Sequence, residues 1–157
     1  MRHRMLTGVC WLGIVFPACC GASSSEVSIR GVWRVAERSF SRPDSSWINS
    51  DPEPGLYLFG EGYFSVQEIR ESGRRALFDE STTALERLAA FDVFHAHSGT
   101  YEVTDSSLTI VPTLAKSPNS MDGSRYSYAL EIRGDRLTIT RVSGDGETRV
   151  TTLTRVE

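Results

Sequence analysis

Apolar side chains recur at every second position through most of this chain. The segments where they do so are separated by glycine, proline, aspartate and serine, so the pattern predicts strands joined by turns. A first strand covers 29–41, with Ile29, Gly31, Trp33 and Val35 on one face. Residues 42–54 are rich in Pro, Asp, Ser and Asn and predict a loop. Strands at 56–59 and 63–70 follow, joined by the tight connection Gly60-Glu61-Gly62, and 71–80 is polar and loop-like. Five further strands are expected at 94–104, 107–114, 125–133, 136–142 and 148–155, several of them joined by short turns such as Asp105-Ser106 and Gly134-Asp135.

One segment changes period. Thr83-Ala84-Leu85-Glu86 has the spacing of a capping box, in which a hydroxyl and a carboxylate three residues on satisfy each other's orphan amide donors. Leu85, Leu88 and Ala89 then share a narrow apolar face, so a helix is predicted over 83–91. At three turns or fewer it needs tertiary contacts to persist, and its expected role is that of a plug or lid. The whole pattern predicts an all-β fold: an eight-stranded antiparallel up-and-down barrel with one short helix between the third and fourth strands. Closure of such a barrel removes exposed strand edges and leaves an interior wide enough for packed side chains or one small ligand.

The N-terminus has a different character. Arg2, His3 and Arg4 precede an apolar run from Met5 to Phe16 and the small-residue exit Pro17-Ala18-Cys19-Cys20-Gly21-Ala22, which is the build of an export signal over 1–19. That run is shorter than the roughly 20 residues a bilayer span needs. Phe16-Pro17-Ala18-Cys19 resembles a bacterial lipobox, which would make Cys19 a lipidated N-terminus; the alternative is ordinary cleavage after Ala22. Residues 20–28, with Ser23-Ser24-Ser25, then form a flexible tether, and 29–157 is the barrel domain. The destination is the cell envelope or the periplasm and exterior. All three cysteines lie within the first twenty residues, so the domain itself is expected without cross-links.

Removal of Arg2 and Arg4 leaves 15 basic residues of the chain's 17 against 20 acidic ones, a balance that disfavours nucleic acid as a partner. Lys116 is the single lysine. No nucleophile elbow, phosphate-cradling glycine loop or metalloprotease motif is present, and no cofactor is implied. Strict alternation places His95, His97, Gly99 and Tyr101 on one inward face. Two such imidazoles point to a metal or an acid–base site if Glu37, on the parity of Trp33 and Val35, completes the set; otherwise they are hydrogen-bonded or solvated. A bulge at Gly99 would turn both rings outward.

Binding has broader support. Alternation directs Tyr57, Phe59, Phe64 and Val66, then Leu108, Ile110 and Leu114, then Tyr126, Tyr128, Leu130 and Ile132, and finally Leu137 and Ile139 inward. Most of these fill the barrel, but buried tyrosine hydroxyls want partners that a ligand can supply. Tyr57, Phe64, His95, His97, Tyr101, Tyr126 and Tyr128 are therefore the expected ligand-facing residues. Lys116, in a loop beside Pro118, either meets an anionic head group or caps backbone carbonyls. The expected occupant is a small apolar or amphipathic molecule held by a monomer whose one membrane contact is an N-terminal lipid anchor. The rival readings are an envelope module with a filled barrel and an enzyme centred on His95, His97 and Glu37.

Gly31-Val32-Trp33 is similar to the Gly-x-Trp signature of lipocalins. Ser98-Gly99-Thr100-Tyr101-Glu102, Ala115-Lys116-Ser117-Pro118 and Gly134-Asp135-Arg136-Leu137-Thr138 extend the likeness, so that most of the chain from Gly31 to Thr154 resembles the bacterial lipocalin-like domain family. The resemblance implies a small calycin-like barrel, exported in many members, without a common activity. It also implies that Trp33 closes one barrel end with an arginine across its ring. Arg141 and Arg149 are the eligible arginines, with Arg155 a further one. The His95-x-His97 pair stands where that family has apolar or aromatic residues.

Overall fold

Each alternating segment pairs with neighbours in an antiparallel ladder. The computed structural model describes residues 28–70 and 77–157, so the expected export signal, Cys19 and the expected tether up to residue 27 lie outside the described residues. The strands are β1 (Gly31–Arg42), β2 (Ser45–Asn49), β3 (Gly55–Phe59), β4 (Tyr63–Ile69), β5 (Phe94–Val103), β6 (Ser107–Ala115), β7 (Tyr126–Arg133), β8 (Arg136–Val142) and β9 (Thr148–Arg155). A helix, α1 (Ala84–Asp92), stands between β4 and β5. Consecutive strands pair from β3 to β9, and β1 closes the ring by pairing with β3 through Gly31 to Arg34 and with β9 through Trp33 to Ser41. Eight strands thus form the closed barrel.

The ninth is β2, which lies where a loop was expected. The turn Pro43-Asp44 folds it back on the far half of β1, from Arg42↔Ser45 to Arg38↔Asn49, and Phe40 stacks on its partner Trp47 with centroids 5.8 Å apart. A proline at the second position of a turn presets the required φ, and a cross-strand aromatic pair stabilises so short a hairpin. β1 therefore hands one edge from β3 to β2 while its other edge stays paired with β9 as far as Ser41.

Two bulges break the strict alternation. In β1 the register with β9 shifts between Val35 and Glu37, so Trp33 and Val35 face inward but Arg38, Phe40 and Arg42 take over the cavity side beyond the bulge. In the β5–β6 ladder Ser98 pairs with Leu114 while Gly99 pairs with Pro112, which leaves Thr113 as the extra residue. Leu114, expected inward, is consequently 68% exposed. The extra residue sits on β6, so β5 keeps its parity and the histidine rings are not turned outward.

One barrel end is closed. Trp33 is fully buried, donates from its indole nitrogen to the carbonyl of Ile29 at 2.7 Å, and carries the Arg155 guanidinium 4.0 Å from its ring centre. Arg155 holds this place because it is the direct β9 partner of Trp33. Arg141 and Arg149 oppose one another at the far ends of β8 and β9, so neither reaches the indole. Gly31 has φ +126°, and a Cβ there would overlap the Glu157 carbonyl oxygen, so the Gly-x-Trp glycine admits the C-terminal backbone against β1.

The helix forms with both capping-box bonds: the Thr83 amide donates to Glu86 Oε2 at 2.8 Å, and the Glu86 amide donates to Thr83 Oγ1 at 3.3 Å. It does not plug the barrel. None of its residues is buried, and Leu85 and Leu88 are exposed. Among the described residues no helix is long and apolar enough to cross a membrane.

Candidate functional site

The end opposite Trp33 is open, and a cavity of about 580 Å³ runs into the barrel from it. That volume is in the range of small-molecule sites and weighs against a filled barrel. Its walls divide by chemistry. Phe59, Phe64 and Val66 from β3 and β4, Leu108 and Ile110 from β6 and Ile139 from β8 form an apolar interior. Around them stand Arg38, Arg42, Arg70, Arg141 and Arg149 with Glu68 and Glu147, a surplus of three positive charges over negative ones. Chain direction explains the division, because the charged residues lie on or next to the ends of β1, β4, β8 and β9 nearest the open end.

Glu68 is the most buried of these ionic groups at 3% exposure. Its carboxylate accepts from Tyr57 Oη at 2.9 Å and from Arg38 Nη2 at 2.9 Å, and Arg70 Nε donates to its other oxygen. Arg38 also donates to the Ile69 carbonyl at 2.7 Å. Burial alone would raise the pKa of Glu68, but the charges of Arg70 and Arg38, with the hydrogen bonds from Arg70 and Tyr57, outweigh it and hold the group ionised. Burial, then the neighbouring carboxylate, pushes the Tyr57 phenol well above its ordinary value. Tyr57 is thereby a fixed donor.

A second triad lies at the mouth. Arg42 and Arg149 both donate to Glu147, a residue 4% exposed, and hydrogen bonds from Arg149 and Arg42 draw its pKa down. Both guanidinium groups also lie near the Phe40 ring, at 5.0 and 5.7 Å from its centre. Arg141 makes no ion pair among the described residues; its guanidinium lies 5.6 Å from the Tyr126 ring centre.

The residues expected at a site are separated by this geometry. Tyr57, Phe64, His97 and Tyr128 line the cavity. His97 meets the Phe64 ring edge-on at 5.5 Å. His95 is the direct cross-strand partner of Glu68, next along the same face but outside the cavity lining. Burial first, then the Arg70 charge, lowers the pKa of both histidines, that of His95 to about 4. Each imidazole is therefore neutral at pH 7. Tyr126 packs against the core without reaching the cavity. Tyr101 belongs to the closed end, where its hydroxyl donates to the Gly60 carbonyl at 2.8 Å and its ring meets Phe59 edge-on. Lys116 caps the end of α1, donating to the carbonyl of Phe91 and, at 3.3 Å, to that of Asp92.

Glu37 does not join the histidines, because the β1 bulge gives the cavity side to Arg38 instead. Among the described residues no three His, Cys, Asp or Glu side chains are grouped to hold a metal ion. The carboxylate that does face the histidine strand is Glu68, which alternation from Phe64 and Val66 would have placed inward. Arg38, Arg42 and Glu147 carried weaker signals: the two arginines follow the bulge, and Glu147 sits in a turn.

No protein-family model and no curated protein matches the chain. Among solved structures, a redesigned β-barrel matches at 12% identity over 82% of this chain and 91% of that one, with a TM-score of 0.39. A likeness at that score adds no argument about function.

Proposed function

We propose that this protein is an exported, lipocalin-like carrier that holds one small amphipathic molecule in its barrel, as a monomer, with Cys19 as its lipid-anchor site or Ala22 as the last residue of a cleaved signal. The observation that supports the binding is the divided cavity: an apolar interior deep in the barrel and hydrogen-bonding, charged side chains around it. No reaction is part of this reading.

Titration with the uncharged apolar dye Nile red tests the proposal. Saturable one-to-one binding is expected, and it should disappear in Ile139→Trp, which fills the interior while leaving the mouth intact. Absence of binding up to high micromolar dye, or equal binding by a folded Ile139→Trp variant, would overturn it.

A further inference from the structure

The arginines at the mouth outnumber what the fold uses. Arg141 and Arg149 are direct partners across the β8–β9 ladder, and both line the cavity. Like charges placed opposite one another on a sheet destabilise it. One carboxylate, Glu147, serves both Arg149 and Arg42, while Arg141 has no ion-pair partner among the described residues. Three guanidinium groups thus meet one carboxylate at the rim of an apolar chamber. Farther along β1, Arg38 and Arg70 share Glu68 in the same two-to-one ratio. The chain as a whole has the opposite sign, with a net charge of −3. The positive character is therefore local to the cavity.

Resting on the carrier reading above, we infer that the bound molecule is an anionic amphiphile, its carboxylate or phosphate group seated at the mouth against Arg141, Arg149 and Arg42 and its apolar part on Phe64, Ile110 and Ile139. A planar guanidinium offers two parallel donors to such a group, and Phe40 beneath Arg42 and Arg149 keeps water from one side of them. Both carboxylates take two guanidinium groups, but only the rim adds a third, Arg141, that has no ion-pair partner among the described residues, so the head group is placed at the rim. Entry is then tail first.

Displacement of Nile red by twelve-carbon amphiphiles, each below its micellar concentration, provides the test: laurate and dodecyl phosphate as anions, dodecanol as the neutral member and dodecyltrimethylammonium as the cation. The anions are expected to bind at least about tenfold more tightly than dodecanol, the scale of one charge-assisted hydrogen bond. The cation is expected to bind weakest, and comparison of laurate with dodecyl phosphate identifies the head group. Arg141→Gln should bring the ratio of laurate to dodecanol affinity close to one, and retained Nile red binding reports that the variant is folded. Equal affinity across the panel, or preference for the cation, would overturn the charge inference while leaving the carrier intact. Failure of every member and of the dye itself would remove both.

Discussion

Glu68 is the residue on which the inner end of the arginine set depends. Removing it by Glu68→Ala leaves Arg38, whose side chain is 11% exposed, and Arg70, whose side chain is 42% exposed, without their shared counter-charge. Breaking a buried ion pair from one side costs about 3–5 kcal/mol, and the partial exposure of Arg70 puts the expected loss near the lower figure. Tyr57→Phe removes one hydrogen bond to a charged acceptor and leaves the ions paired, so about 1.5 kcal/mol is expected. Urea unfolding of the two variants measures the difference, and losses of equal size would contradict the view that Glu68 neutralises both arginines. Its inward position is legible in the sequence, because it continues the face of Phe64 and Val66 without interruption. Tyr57 is read as inward too, but Arg38 is not legible, since it is inward only by virtue of an irregularity elsewhere in β1.

Strands and helix divide along the same line between regular and irregular geometry. The capping box at Thr83 and Glu86 is a local signal and is realised bond for bond, and the strands with uninterrupted alternation lie where the pattern puts them. β2 is not legible because Ser45–Asn49 offers two apolar residues in loop-like surroundings, and its partner is the half of β1 beyond the β3 pairing. The β1 bulge leaves one trace, the change of apolar parity from Trp33 and Val35 to Phe40. The β5–β6 bulge leaves two, Gly99 and Pro112, residues that a sheet interior tolerates where a ladder is interrupted or another backbone approaches. A Cβ at Gly99 would overlap the Val111 carbonyl and approach Pro112 Cα to 2.9 Å. Gly99→Ala should therefore cost about 2 kcal/mol or more, as overpacking against backbone does. Gly144→Ala, with no atom within 4 Å and no positive φ, should change stability by a few tenths of a kcal/mol. Thermal denaturation of the pair reads the contrast, and a stable Gly99→Ala protein would show that β6 can move away from β5.

For the whole molecule these placements set how the barrel responds to acid. His95 and His97 sit on β5 beside Arg70, Glu68 and, for His95, Lys116. Burial first and the Arg70 charge second keep both imidazoles neutral below their ordinary value of 6.5, with Glu68 opposing the shift and His95 reaching about 4. The unfolded chain, where no such environment exists, takes up these protons nearer 6.5. As pH falls the unfolded state therefore binds protons before the folded one, and stability present above 6.5 is lost progressively toward pH 4. Glu68 acts in the same sense at lower pH: its folded pKa is depressed below 4.5, so its contribution is present above 4.5 and disappears as pH drops through the folded value. Acid loss of stability should thus begin near pH 6.5, earlier than carboxylates alone would produce. The melting temperature followed by circular dichroism from pH 7.5 to 4.5 is expected to fall across the histidine window, and the fall should flatten in His95→Asn/His97→Asn whatever that variant's absolute stability. A wild-type melting temperature constant across this range, or an unchanged slope in the double variant, would mean that both rings accept protons as readily inside the barrel as in the unfolded chain, which their burial beside Arg70 opposes.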